Sequence, residues 1–375
     1  SGQTPQGAAS ARLICEALMG PTAANQFYNV TDAAQGGGSQ FNWVMQQGNP
    51  DLKSETADTW TWGVVMSPPF ERPWLSGINL SLDYYRVEIE DAIMLYSVDF
   101  ANFRCFGETL VASTAEAAAQ AASPACQLVP RNQALGGPLT TSLSYDNQAT
   151  IDTAGLDLAL NWRLQLSDAG RELPGSLAFS LQATFLDYYR TKQSPAAFDV
   201  ETDWKGSLGP NLSGTNPGAY DYRLFGSLGY FSNAWGVNLR WRYLPKVNSA
   251  VFASQQAIIA NNSRIASGAP GVTLSYTPLT EVETDSYNVF DLSFNWSIGE
   301  RLELRGGVTN LLDTEPVEVG STTGFPIGTD LAAVCGGAPG CVRPVAFSLP
   351  TTGPFNGGYY DTVGRRYFVG MQMRF

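Results

Sequence analysis

The chain has 375 residues, enough for one large domain or two ordinary ones. Only 15% of them are charged, while Gly (38), Trp (9), Tyr (16) and Phe (19) are plentiful, which suits a β-rich protein with long loops and an apolar surface better than a soluble enzyme. The formal net charge of −12 argues against nucleic acid, and the absence of His removes the commonest general base and metal ligand.

The opening stretch SGQTPQGAAS carries no signal peptide and does not read as a native N-terminus. Residues 1–57 read as an extracellular loop segment, with a short helix over 11–19, and residues 58–375 as barrel strands with outer loops. Strands are expected near 58–67, 75–97, 146–166, 175–190, 219–231, 235–246, 286–298, 301–312 and 360–375. Period-two alternation carries these assignments. Leu156, Leu158, Leu160, Trp162 and Leu164 alternate with polar residues that include Asp157, Asn161 and Arg163. Trp235, Val237, Leu239, Trp241 and Tyr243 interleave with Asn238, Arg240 and Arg242. Phe290, Leu292, Phe294, Trp296 and Ile298 enclose Asp291, Ser293, Asn295 and Ser297. The last strand sets Tyr367, Val369, Met371, Met373 and Phe375 against Arg366, Gln372 and Arg374.

Soluble sheets alternate too, but two features favour a membrane. The runs are about nine to eleven residues long, the span of a tilted transmembrane strand, whereas ordinary strands run nearer five or six. Aromatics cluster at strand ends (Trp60, Trp62, Tyr84, Trp235, Tyr243, Tyr367), as in interfacial girdles. No segment approaches the roughly 18 consecutive apolar residues of a spanning helix, so a membrane role requires a closed barrel. Connections alternate between short (67–73, 167–174, 231–234, 299–300) and long (98–143, 191–218, 247–285, 313–358), with a second loop helix near 115–122. This parity starts the chain outside and ends Phe375 on the periplasmic side. The expected fold is all-β, a transmembrane antiparallel β-barrel with long extracellular loops.

The five cysteines, Cys15, Cys105, Cys126, Cys335 and Cys341, lie outside the expected strands and form no CxxC pair. An oxidising compartment pairs Cys105 with Cys126 and Cys335 with Cys341, leaving Cys15 odd with a partner on another chain; free thiols are the alternative.

Three segments carry a family likeness. Asn49-Pro50-Asp51-Leu52-Lys53-Ser54-Glu55-Thr56 resembles the NPxLxPE segment of TonB-dependent receptor barrels, with Ser54 where the family has Pro. Val308-Thr309-Asn310-Leu311-Leu312-Asp313 resembles the NLFD segment ending the penultimate strand. Gly364-Arg365-Arg366-Tyr367-Phe368-Val369-Gly370, running to Phe375, resembles the last strand with its terminal aromatic. The resemblance implies that these are about the last nine strands of a 22-stranded barrel in the bacterial outer membrane. It implies a receptor that takes up a scarce solute such as a siderophore, cobalamin or a carbohydrate, driven by TonB, ExbB and ExbD acting through a plug. The plug and earlier strands are absent from this chain. In lipid an open edge of about ten unpaired residues would cost more than a domain's stability, so the remaining N-terminal barrel and plug must come from elsewhere. One account is a receptor split or nicked in an outer loop before Ser1; the other is that this is part of a longer chain.

No enzyme chemistry emerges, and no cofactor or metal is expected. Asp83 with Glu88, and Glu281 with Glu283, read as lumenal or solvated carboxylates, since no His frames them. Arg163, Arg240, Arg242, Glu303 and Arg305 read as a charged ladder facing the plug. Tyr96, Phe100, Arg104 and Trp204, on outer loops, are the candidates for contact with a small-molecule substrate. Outer-membrane lipid and lipopolysaccharide are further expected partners. A passive porin-like channel, a surface adhesin barrel and a secreted soluble β-sandwich are the rival readings.

Overall fold

The computed structural model describes residues 5–29, 44–69, 71–95, 98–131, 141–168, 174–195, 199–209, 218–269, 273–274, 283–299, 301–317 and 360–373. Nine strands neighbour one another in chain order: β2 (Thr56–Met66), β3 (Ile78–Leu95), β4 (Thr141–Gln165), β5 (Ser176–Lys192), β7 (Tyr222–Phe231), β8 (Trp235–Leu244), β9 (Tyr287–Ile298), β10 (Leu302–Thr309) and β11 (Arg366–Met373). Two short strands lie off this path: β1 (Val44–Gln47) pairs in parallel with β4, and β6 (Thr202–Asp203) pairs with β5. The nine expected strands are therefore present, and β2 and β11 form the sheet's edges. The differences lie at their ends. β4 starts earlier and runs for 25 residues, more than twice what a tilted strand needs to cross a bilayer. β10 stops at Thr309 because Asn310 turns into the left-handed region at φ 54°.

The chain divides into two compact units. The first comprises Ser1–Thr56, Glu90–Thr150 and Gln193–Asp199. Its helices are α1 (Pro5–Met19), α2 (Pro21–Asn29), α4 (Val98–Phe106), α5 (Thr114–Ala121) and α6 (Pro124–Gln127). Ser113 opens α5 with a capping box: its hydroxyl accepts from Glu116 N–H at 3.3 Å, and the Glu116 carboxylate accepts from Ala112 and Ser113 N–H at 2.8 and 3.2 Å. The Ala112 hydrogen bond is the main cause holding the Glu116 carboxyl below its ordinary pKa. Ile14, Phe100, Ala101, Phe106 and Val129 form the core beside a disulfide joining Cys105 to Cys126, with Cα atoms 4.6 Å apart. Cys15 is half-buried and packs against this cluster.

The second unit comprises Ala57–Ile89, Ile151–Lys192 and Val200–Phe375. It contains α3 (Pro73–Ser76), in a short connection, and α7 (Ala250–Ala266), in a long one. The second of these helices lies in a stretch that reads as loop from sequence. Its register resolves the two faces. Phe179, Leu228, Leu239 and Leu292 follow one another across β5, β7, β8 and β9, and Val308 and Tyr367 continue the row. One step along the strands, Ser180, Ser227, Arg240 and Asp291 form a row on the opposite face. Much of the apolar face stays exposed, with Leu228 at 50%, Trp296 at 48% and Met371 at 66%. A surface of this extent calls for an apolar environment.

Aromatics bound that face at both ends. Phe185, Tyr222 and Tyr243 stack in sequence, with ring centroids 6.1 and 5.8 Å apart, at the end bearing the long connections. Tyr230 and Trp235 meet at 4.8 Å at the other end, and Trp296 pairs with Trp235. Tyr222 and Tyr230 are separated by about 26 Å along the strand, or about 20 Å in height after a typical tilt, close to the apolar band of a membrane barrel. Among the described residues, no helix is long and apolar enough to cross a membrane.

Candidate functional site

The polar face is built from strand positions that alternate with the apolar rows. Arg240 stands opposite Asp291, and Arg242 Nη2 lies 3.8 Å from the Asp291 carboxylate. Arg223, on β7, shares this face and lies one pair beyond Phe225 and Arg242. Glu303 stands opposite Ser297 and Gln372. Arg305 stands opposite Gly370, where an added Cβ would come within 3.0 Å of its Nε; glycine leaves room for the guanidinium to lie flat. Toward the short connections, Arg163, Asn79, Asn161, Ser180 and Ser227 line a niche of about 220 Å³, and the two serine hydroxyls are 3.0 Å apart.

These fixed cations and neutral donors suit acidic side chains or anionic solutes passing along the face. Nothing in the arrangement sets a nucleophile beside a base. Among the described residues, no group of three or more His, Cys, Asp or Glu is placed to hold a metal ion. Arg223 is missed by sequence reading because Phe225 and Phe231 share its parity and blur the alternation. The usable signal is its two-residue step from Phe225, opposite Arg242.

The loop residues singled out from sequence occupy different settings. Phe100 is 6% exposed, inside the core of the first unit. Arg104 is half-buried, with its Nε 3.5 Å from the Glu108 carboxylate, and its carbonyl accepts from the Gln120 amide. Trp204 is 7% exposed in the second unit and donates its indole N–H to Thr191 Oγ1 at 2.8 Å. Tyr96, Cys335 and Cys341 lie outside the described residues. Phe100 and Arg104 belong to the first unit and Trp204 to the second.

Two sequence motifs act as clasps. In Asn49–Thr56, Asn49 Oδ1 accepts Asp51 N–H, Lys53 N–H donates to Asn147 Oδ1, and Glu55 Oε1 accepts Ile93 N–H. At the end of β10, Asn310 N–H donates to Asp291, and its side chain holds both backbone groups of Thr314 at 2.8 and 2.9 Å. Asp313 then accepts Arg365 N–H at 2.9 Å, fixing the entry to β11.

Comparison with known proteins adds family context. A family model described as TonB-dependent receptor-like, beta-barrel matches residues 16–311. No curated protein matches. The chain is similar to a mutant ferric enterobactin receptor of Pseudomonas aeruginosa, at 14% identity and TM-score 0.45, over 88% of this chain and 32% of that one. It is also similar to the pyoverdine outer membrane receptor FpvA of Pseudomonas aeruginosa PAO1, at 11% identity and TM-score 0.41, over 86% and 30%. The FrpB iron transporter of Neisseria meningitidis follows at 14% identity and TM-score 0.36, over 72% and 29%. The chain therefore spans about a third of the length of the solved proteins it resembles.

Proposed function

We propose, from the premise that this chain belongs to the TonB-dependent receptor-like β-barrel family of the outer membrane, that it forms one wall and several outer loops of a receptor importing a scarce solute. The observation that carries the reading is the two-faced sheet. Leu228, Leu239 and Leu292 present an apolar row bounded by aromatics, and Arg240, Asp291 and Arg305 line the opposite face. An apolar face left this exposed and bounded by aromatics, backed by a charged one, fits a wall between hydrocarbon and an aqueous path.

In this reading the remaining strands and a plug complete the barrel, and TonB, ExbB and ExbD drive release through the plug. Arg223, Arg240, Arg242 and Arg305 meet acidic groups of the plug or a passing anionic solute. Half-buried Arg104, rather than the packed Phe100 and Trp204, is the loop side chain retained as a substrate contact. A siderophore, cobalamin or a carbohydrate is the solute class.

Growth and uptake of labelled candidate solutes in cells carrying the whole receptor test this. Uptake should require the receptor gene, TonB and the proton-motive force. Uptake that persists without TonB would overturn the reading in favour of a passive channel.

A further inference from the structure

In the first unit, α1, α2 and α5 enclose a cleft of about 510 Å³. Leu13 and Ala17 on α1, Ala24 on α2 and Ala118 on α5 give it an apolar lining. Ala24 is buried and Leu13 half-buried, forming the floor, while Ala17 and Ala118 stand exposed at the rim.

Local structure fixes the walls. Gly20 takes a left-handed φ of 82° between α1 and α2. Its N–H donates to the Glu16 carbonyl at 2.9 Å, and its carbonyl accepts Ala24 N–H at 3.0 Å. Pro21 then opens α2 with its φ already suited to a helix. On the other side, buried Ser10 Oγ accepts Val111 N–H at 2.9 Å, which ties α1 to the segment entering α5. The capping box at Ser113 holds the start of α5 itself.

Arg12 and Glu16 also line the cleft, and Arg12 Nε donates to Glu16 Oε1 at 2.8 Å. Pairs of this spacing are ordinary on helix surfaces. This one differs because both partners border an apolar cavity. A ligand with a single charge would attract one member of the pair and repel the other. A ligand with both charges meets each with its opposite. Because the two side chains touch, the ligand's charges must lie equally close. An ammonium and a carboxylate on one carbon satisfy this, and the separated ends of a peptide do not. The volume leaves room for a bulky group beyond that headgroup, since small-molecule sites run from about 300 to 1,000 Å³.

We infer that this cleft binds a free α-amino acid with a large apolar side chain. The ligand carboxylate meets the Arg12 guanidinium, its ammonium meets Glu16, and its side chain covers Leu13 and Ala24. The lining residues belong to the first unit and the polar wall to the second, so the inference does not rest on the transport reading.

The test uses the whole receptor in mild detergent, with equilibrium dialysis of radiolabelled L-phenylalanine. Binding should be saturable and displaced by unlabelled phenylalanine. N-acetylphenylalanine lacks the cation and phenylalaninamide lacks the anion; each should compete about tenfold less well, having lost one charge-assisted contact. Arg12→Gln should weaken binding about tenfold for the same reason. Ala17→Leu with Ala118→Leu fills the cleft from exposed positions and should abolish binding while thermal unfolding stays native. Equal competition by the three compounds, binding indifferent to Arg12→Gln, or no saturable binding at millimolar phenylalanine would overturn the assignment. Solute uptake measured on the same variants keeps failure of this site distinct from failure of the transport reading.

Discussion

Glu55 Oε1 accepts the backbone N–H of Ile93 at 2.6 Å, two residues after Asp91 takes a left-handed φ of 53° inside β3. A non-glycine residue in that region marks a break in the regular strand, and the carboxylate supplies an acceptor beside it. The Asn147 amide donates to the carbonyls of Lys53 and Asp91, so the segment is tied on both sides. Glu55→Ala should cost about 1 kcal/mol, since the bond is charge-assisted but exposed, and should speed exchange of the Ile93 amide. Glu55→Gln keeps a neutral acceptor and should lie between. Hydrogen exchange followed by mass spectrometry on the whole receptor reads this; an Ile93 amide unchanged in Glu55→Ala would remove the clasp from the account.

Asn310 is fully buried, sits at φ 54°, and makes two side-chain hydrogen bonds to Thr314. Asn tolerates left-handed backbone and carries both a donor and an acceptor, which explains its choice over Gly or Asp. Asn310→Ala should destabilise by about 2–4 kcal/mol, combining backbone strain with two buried groups left unpaired. Asn310→Gly should recover the strain only. Thermal unfolding of the detergent-solubilised receptor gives the order, and a Gly variant as stable as the native protein would show that the side-chain bonds contribute nothing.

The sheet was legible from sequence because two solvents impose period two on every crossing strand. The Trp235–Tyr243 row reads the same in sequence and in register. The polar set Arg163, Arg240, Arg242, Glu303 and Arg305 followed from the same parity. Helix α7 was not legible because its Ala, Asn and Ser residues resemble a loop and no apolar stripe marks it. Its clearest signal is the cap, where Ser249 Oγ accepts Phe252 N–H at 3.1 Å. The packing of Phe100 and Trp204 was hidden for another reason. A loop aromatic is exposed or buried according to distant partners, such as Thr191 for Trp204, that composition does not reveal.

The disulfide between Cys105 and Cys126 closes a sequence separation of 21 residues next to the Phe100–Phe106 core. Chain-entropy arguments assign such a link about 3 kcal/mol. Replacing both cysteines with Ser should raise proteolytic nicking and amide exchange in α4, α5 and α6, while β7–β10 keep their protection. Equal loosening of strands and helices would show that the link supports the whole molecule.

Acid should act on the α5 cap. The Glu116 carboxyl has its pKa lowered first by the Ala112 hydrogen bond, so its contribution is present above the unfolded value, near 4.3, and is lost as pH falls through the folded value. Exchange of the Ala112 and Ser113 amides, corrected for intrinsic rate, should therefore rise as pH falls below the unfolded value and through the lower folded one. Glu116→Gln should flatten that dependence. A wild-type profile with no acid limb would contradict the cap's role.

The assignment of faces makes the most direct prediction. Leu239 lies at the centre of the apolar face, between Leu228 and Leu292, and Ser293 lies opposite Asn238 on the polar face. If the first side meets hydrocarbon, Leu239→Arg places a charge near the bilayer midplane and should cost about 2–4 kcal/mol. Ser293→Arg, one strand over and facing water, should cost little by comparison. Both add the same side chain to neighbouring central strands, so differences in helix or strand propensity do not separate them. Folded yield in outer membranes, with urea unfolding of the reconstituted receptor, measures the gap. Equal tolerance at the two positions would mean that both faces meet water, and reversed tolerance would invert the wall.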